Sequence, residues 1–372
     1  IRTLTSVPED SFSELSVDVY QSALFSEHRV GENGGISLSA RRSYVDAILN
    51  PILNMGERKV QAPRYYDAQL RYWNTDPDGK RWDAYLFLSD DRFMVLGSDE
   101  PDAEVDIGLV TQFQKMRLQH IRPLGRGWYY ETVIFGGPES QSFQFNGDGE
   151  AYEKTLLLGI REEFRRKSQG PEPSWKLGLD VESGTLSYLY DVPGFGESEE
   201  GATLALMPAV YAESTVTAGP LEFTPGLRTD SMFFQDGFIG PLVDPRIGIR
   251  WKATPTTTVH GGTGRHSQFP ETRELLAEGD GVPDLDAEWA LQSSIGIEQQ
   301  IGPLVRVEIT GFWNELYDLV SGREDAFRFF TGPPAFGPFD TDPYANDGTG
   351  RVQGIETLAR LDTKVEPGSA RD

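Results

Sequence analysis

Side chains that alternate between apolar and polar, segment after segment, constrain this chain more than any other feature of its sequence. In "DPRIGIRWKATPTTTVHGGTGRH", residues 244–266, Ile247, Ile249 and Trp251 fall on one side, and Arg246, Arg250 and Lys252 on the other. A period of two is the mark of a β-strand with one apolar face and one wetted face. The polar "TPTT" link then reverses the chain, so the two runs read as an antiparallel hairpin. The pattern recurs in "VRVEITGFWNELYDLV", where Val305, Val307, Ile309, Trp313 and Tyr317 oppose Arg306, Glu308, Thr310, Asn314 and Asp318. In "EWALQSSIGIEQQIG", Trp289, Leu291, Ile295 and Ile297 oppose Gln292, Ser294, Glu298 and Gln300.

Alternation of this kind predicts about fifteen strands. They lie near 14–28, 34–46, 64–74, 80–89, 104–121, 127–136, 150–165 and 174–188, then near 205–217, 221–231, 245–253, 256–267, 287–300, 304–319 and 350–361. The links between them alternate in length. Short ones fall at 31–34, 76–79, 123–127, 166–173, 217–220, 254–257 and 301–303; long ones fall at 47–63, 90–103, 137–149, 189–204, 232–244, 268–286 and 320–349. A meander with tight turns at one end and long loops at the other produces this rhythm, and it is the layout of an outer-membrane barrel. Several runs exceed the five or six residues usual in globular sheets. Aromatic residues gather near strand ends (Tyr65, Tyr66, Trp73, Trp82, Trp128, Tyr129, Tyr130, Trp289 and Tyr317), as an interfacial girdle requires. The fold class expected is therefore all-β: an antiparallel, up-and-down transmembrane β-barrel whose apolar face meets lipid. "EKTLLLGIREEFRRK" has helical periodicity as well, but the hairpin rhythm on both sides makes it a strand with Leu156, Leu158, Ile160 and Phe164 on one face. "ETRELLAEGD" reads as a helical turn or two inside the 268–286 loop.

Composition narrows the partners. A formal charge of −24 excludes the basic footprint that a nucleic-acid partner demands. With no cysteine, disulfide frameworks and thiolate metal sites are excluded. There is no apolar run long enough for a membrane helix, which leaves a barrel open because its strands are only half apolar. The chain begins at Ile1 without a visible signal peptide, so it is expected to be processed or truncated there.

"SLSARRSYVDAIL", "PRYYDAQLRY", "DPRIGIRWKATPTTTVHGGTGRHSQFPETREL", "SSIGIEQQIGPLVRVEITGFWNELYDLV" and "NDGTGRVQGIETLARL" together resemble the barrel of TonB-dependent outer-membrane receptors. The likeness is to the branch with a carboxypeptidase-regulatory-like and plug organisation. The resemblance implies a barrel of about 22 strands around an N-terminal plug. It also implies a bacterial outer-membrane location and import of a scarce ligand, such as an iron-siderophore, cobalamin or glycan. Its implied partners are a TonB-type energy-coupling complex acting through the plug, outer-membrane lipid, and the small-molecule or oligomeric ligand. The pattern departs at both ends. No plug precedes Ser11, and after Leu361 the chain stops at "DTKVEPGSARD" where some seven more strands and a terminal aromatic are expected. The organisation expected is an N-terminal remnant at 1–13 and a partial barrel at 14–372, a fragment because fifteen strands cannot close a bacterial barrel.

No catalytic residue, cofactor site or metal site is assigned. His260 and His266 share a face, but about 20 Å of strand separates them, so they do not ligate one metal together; with His28 and His120 they read as ordinary polar-face residues. The acidic stretches 278–288 and 339–347 lack the spacing of an EF-hand and read as solvated loops. "RRSY" at 41–44 places arginines where an anionic ligand or a plug would meet them, and "REEFRRK" at 161–167 reads as charge balance. Nucleophile-elbow, Walker, dinucleotide and HExxH motifs are missing. The function expected is ligand capture and gating rather than catalysis, with contacts from the polar face and from loops 137–149, 189–204, 268–286 and 320–349. Two rivals remain: a plugless porin-like barrel, and a secreted all-β glycoside hydrolase, which requires recurring four-strand blades.

Overall fold

A computed structural model describes residues 10–48, 60–95, 107–145, 149–168, 172–191, 198–235, 237–271, 284–322 and 344–361, with positions 8, 274–275 and 282. The strands are β1 (Phe12–Val17), β2 (Gln21–Val30), β3 (Gly34–Ser43), β4 (Val60–Thr75), β5 (Arg81–Val95), β6 (Ile107–Gly125), β7 (Trp128–Phe145) and β8 (Gly149–Arg166). There follow β9 (Ser174–Asp191), β10 (Glu199–Ala218), β11 (Leu221–Phe234), β12 (Gly237–Thr254), β13 (Thr257–Gln268), β14 (Glu288–Ile301), β15 (Val305–Gly322) and β16 (Tyr344–Leu361). All belong to one sheet, in strict chain order from β1 to β16. That order excludes the separate four-strand blades of a propeller. Links after even-numbered strands lie at one end of such a meander, and those after odd-numbered strands at the other.

Contacts group the chain into two units, residues 1–162 with 180–207, and residues 163–179 with 208–372. In the first, register aligns Leu38, Leu70, Leu86 and Met116 in one row across β3–β6. The next row is Ile36, Tyr72, Ala84, Leu118 and Ile134. Most of these side chains are exposed, whereas Trp73 and Asp83 on the opposite face are 2% and 1% exposed. In the second unit the apolar rows are Leu221, Trp251, Val259, Ile297 and Ile309, then Phe223, Ile249, Gly261, Ile295, Gly311 and Ile355. Here too Leu221, Trp251, Ile249, Ile295, Ile297 and Ile309 are exposed. Contiguous apolar rows of this extent mark a surface that an apolar medium covers. The faces expected for β14 and β15 are the ones found except at Asp318, where a register shift and a φ of +54° let its Oδ2 accept from Trp289 Nε1 of the apolar row at 2.8 Å; β8 is a strand with Leu156, Leu158, Ile160 and Phe164 exposed.

Two expectations are corrected. The run 14–28 is two strands, which makes sixteen among the described residues rather than fifteen. Asp18 breaks it by an Asx turn: its Oδ1 accepts hydrogen bonds from the amides of Tyr20 at 2.7 Å and Gln21 at 2.9 Å. The turn was hidden because Leu15, Val17 and Val19 keep alternating and no glycine or proline interrupts them. Second, the links at 137–149 and 232–244 are mostly strand. β7 runs to Phe145 and β8 starts at Gly149; β11 ends at Phe234 and β12 starts at Gly237. The amphipathic signal fades where strands leave the apolar layer, but the backbone ladder goes on. β6 has 19 residues, about 60 Å of strand, against the nine to eleven residues that cross a bilayer. The excess lies toward the links after odd-numbered strands. The helical turn expected in 268–286 is found at 274–275, and another occurs at 45–48.

Candidate functional polar face

An apolar face offers a ligand only contact area, so specific recognition must come from the opposite side of the strands. In the second unit a cleft of about 450 Å³ lies on that side. Its floor is Gly248 and Gly262, and its walls bring Thr224, Gln292, Ser294 and Asn314 together with Phe312, His266 and Arg246. At Gly262 the flat floor has a steric reason: a Cβ there would stand 2.9 Å from the Ile247 carbonyl oxygen, whereas one on Gly248 would meet only ordinary contact at 3.8 Å. Arg246 Nη2 donates to Glu213 Oε2 at 2.9 Å, and Lys176 Nζ lies 3.4 Å from Glu213 Oε1. One carboxylate thus holds two cations at the edge of the cleft. Deeper toward the tight turns, Glu298 lies 3.5 Å from Arg250 and 3.4 Å from Arg306. His260 Nε2 is 3.3 Å from Glu308 Oε1 without hydrogen-bond geometry.

The first unit carries a denser network on its polar face. Asp83 accepts from Arg71 Nη2 at 2.6 Å, Arg81 Nη2 at 3.1 Å and Arg117 Nη2 at 3.2 Å. Register dictates this hub: Arg71 faces Tyr85 and Asp83 faces Trp73, one step along the same face. Arg71 also lies 5.2 Å over the Trp73 ring, which rests on Gly35, where a Cβ would come within 2.4 Å of it. Nearby, Arg41 Nε donates to Asp67 Oδ2 at 2.9 Å, and Ser89 Oγ to Asp67 Oδ1 at 3.1 Å. Such partly exposed pairs contribute about 0.2–1 kcal/mol each; their larger effect is to fix side-chain positions.

These long hairpins, alternating faces and charged polar side agree with a family match. Residues 50–366 match the family described as "TonB dependent receptor-like, beta-barrel". The chain belongs to this family. No curated protein sequence matches it. The ferric citrate transporter FecA superposes with a TM-score of 0.67 at 13% identity, over 92% of this chain and 53% of that one. The FrpB iron transporter from Neisseria meningitidis gives 0.69 at 13%, over 92% and 58%. The hemophore receptor HasR from Serratia marcescens, in complex with its hemophore HasA and heme, gives 0.65 at 11%, over 95% and 60%. The chain therefore spans a little over half the length of these structures, and the likeness shows the fold. The TonB-dependent receptor barrel is a fold of the bacterial outer membrane.

On this barrel sheet the residues singled out from sequence fall in different places. Arg41 lies on the polar face, whereas Arg42 lies on the apolar face, 5.2 Å over Tyr66. In "REEFRRK", Arg161 donates to Asp180 at 2.6 Å, Arg165 is 3.3 Å from Glu163, and Arg166 pairs with Glu172. His266 borders the cleft and His260 does not, consistent with their separation along β13. His120 is stacked on Trp82 at 4.0 Å, and His28 shares a hydrogen bond with Ser26. Trp73, expected in the girdle, is instead buried on the polar face. Among the described residues no cluster of three or more metal-ligating side chains occurs. Positions 146–148, 192–197, 272–273, 276–281, 283 and 323–343, within the four expected ligand loops, lie outside the described residues, as does 339–343 of the second acidic stretch. The described ends of the 268–286 loop are anchored: Asn346 Oδ1 accepts from the Asp286 amide at 2.8 Å, and its Nδ2 donates to the carbonyls of Asp286 and Asp318. The glycine-floored cleft was missed because its members come from six strands and meet only once register is known.

Proposed function

We propose that this chain supplies the ligand-capturing barrel portion of an active-transport receptor, with its apolar face in outer-membrane lipid. The hairpins that extend beyond the apolar rows capture a scarce ligand, and the polar face guides it inward. Strands about twice the length that a bilayer needs carry this reading: they give a protruding, backbone-rigid scaffold for recognition. The cleft's hydroxyl, amide and guanidinium groups beside Phe312 suit a polar, oxygen-rich ligand, whether a metal chelate or a glycan. The similar structures include a ferric citrate transporter, a siderophore receptor and a copper transporter, which supports a chelated metal as the first ligand class to test. Energy comes through a plug and a TonB-type complex in the full-length protein.

The test is uptake by intact cells of labelled ferric siderophores, cobalamin and oligosaccharides, with the gene present or deleted and the proton gradient intact or collapsed. One ligand is expected to need both the gene and the gradient. Gene-dependent uptake that survives collapse of the gradient would establish the porin-like rival instead.

A further inference from the structure

The apolar face of the first unit ends in a belt of three arginines around Tyr66 and Asp90. Register places Arg42 opposite Tyr66, Tyr66 opposite Asp90, and Arg64 opposite Arg92. The Arg42 and Arg64 guanidinium carbons lie 5.2 and 5.8 Å from the centroid of the same Tyr66 ring. Arg92 makes a two-pronged contact with Asp90, at 2.8 and 2.9 Å. Among the described residues Asp90 pairs with Arg92, while Arg42 and Arg64 are found against the Tyr66 ring. Like charges directly opposite on paired strands repel, and Arg64 Nε is buried with no hydrogen-bond partner. Arg42 and Lys154 border a cavity of about 920 Å³ whose walls include Leu24, Leu88 and Leu156.

We propose that this belt binds the phosphate headgroup of a membrane lipid, with an acyl chain along the leucines. Guanidinium forks match phosphate oxygens in pairs. A phosphate between Arg42, Arg64 and Arg92 removes the repulsion. The cavity's walls mix Leu24, Leu88 and Leu156 with Arg41, Asp67 and Glu139, and the leucines are where a hydrocarbon tail would lie. The belt stands at the end of the apolar rows nearest the protruding hairpins, where a lipid headgroup sits if that face lies in a bilayer. The inference rests on the membrane reading of the apolar face.

The experiment uses the full-length protein extracted from its membrane in mild detergent. Retention of phosphatidic acid, and of a neutral diacylglycerol with the same tails, is measured by native mass spectrometry. Wild type is expected to keep phosphatidic acid and lose the neutral lipid. The R42Q/R64Q double variant is expected to lose phosphatidic acid binding about tenfold or more, since hydrogen bonds to charged groups are at stake. K252Q, an equal kind of charge loss beside a tight turn, is expected to leave it unchanged. Heat-modifiable gel migration of each variant confirms that the barrel stays folded. Equal retention by wild type and the double variant overturns the proposal, as does equal retention of the neutral lipid. Displacement of phosphatidic acid by millimolar inorganic phosphate assigns the site to a free anion and overturns the lipid assignment. Water solubility of the protein without detergent would instead overturn the membrane reading beneath it.

Discussion

Replacing Ile295 by lysine tests the medium that covers the apolar face. Ile295 is 67% exposed and lies between Gly261 on β13 and Gly311 on β15, neither of which shields it. It stands six residues from Ile301, the last residue of β14, which is about 20 Å along the strand. With a strand tilt near 45° that becomes about 14 Å of depth, close to the middle of an apolar band about 25 Å tall. A lysine at the midplane costs about 2–4 kcal/mol. In water, exchanging so exposed an isoleucine changes stability by no more than about 0.5 kcal/mol. Ser294→Lys is the control, at nearly the same depth on the polar face, and its expected cost is below about 1 kcal/mol. Urea unfolding of the full-length protein in lipid vesicles, followed by tryptophan fluorescence, measures both variants. If Ile295→Lys and Ser294→Lys differ by less than about 0.5 kcal/mol, the apolar rows are not in lipid and the membrane argument fails.

Other perturbations address the polar face and the turns. Gly35→Ala forces a methyl into the Trp73 ring and is expected to destabilise by about 1–3 kcal/mol; adding Trp73→Leu should recover part of that, and strict additivity in a double-mutant cycle would refute the contact. Asp83→Asn leaves three guanidiniums around a neutral amide, at about 1–3 kcal/mol. This is less than for a fully buried pair, because Arg81 and Arg117 are 26% and 43% exposed; a midpoint indistinguishable from wild type in denaturant would contradict it. Asp18, in the turn between β1 and β2, has its pKa lowered by hydrogen bonds from the amides of Tyr20 and Gln21. Its contribution is therefore present above the ordinary carboxylate range and lost as pH falls through the depressed folded value. The protection factors of the Tyr20 and Gln21 amides, taken against intrinsic exchange at each pH, should fall on acidification, and Asp18→Asn, which keeps the acceptor, should abolish that dependence. Asn346→Ala removes three hydrogen bonds, and faster exchange of the Asp286 amide is the expected result.

Much of the architecture was legible because lipid and water impose opposite demands on alternate residues. Every predicted strand overlaps an observed one, and the faces of β14 and β15 follow from polarity except at Asp318, where the ladder shifts register. Legibility failed where that contrast ends. Beyond the apolar layer both faces of β7 and β8 are polar, as in "PESQSFQF" and "GEAYEK", so sequence offers turn-like residues where the ladder continues. The split at Asp18 failed for the converse reason: apolar alternation crosses a turn that a single carboxylate makes. Trp73 was assigned to the girdle because it is aromatic and near a strand end, but its parity in β4 places it with Asp67 and Arg71.

Parity also explains why the polar face was nearly invisible in sequence. Its rigidity comes from large side chains laid flat over glycines on the neighbouring strand: Trp73 on Gly35, Phe135 on Gly159, Tyr211 on Gly178 and Tyr188 on Gly201. In each pair a Cβ at the glycine would fall within 2.6 Å of the ring and force it to move, so these glycines serve a contact rather than a turn. A glycine in a strand read alone signals weakness or a bulge. Its meaning here depends on a partner in another strand, and the register between them is fixed only when the apolar rows align. The lipid-facing pattern thus sets the register, the register brings ring and glycine together, and that packing holds flat the surface on which a ligand would be recognised.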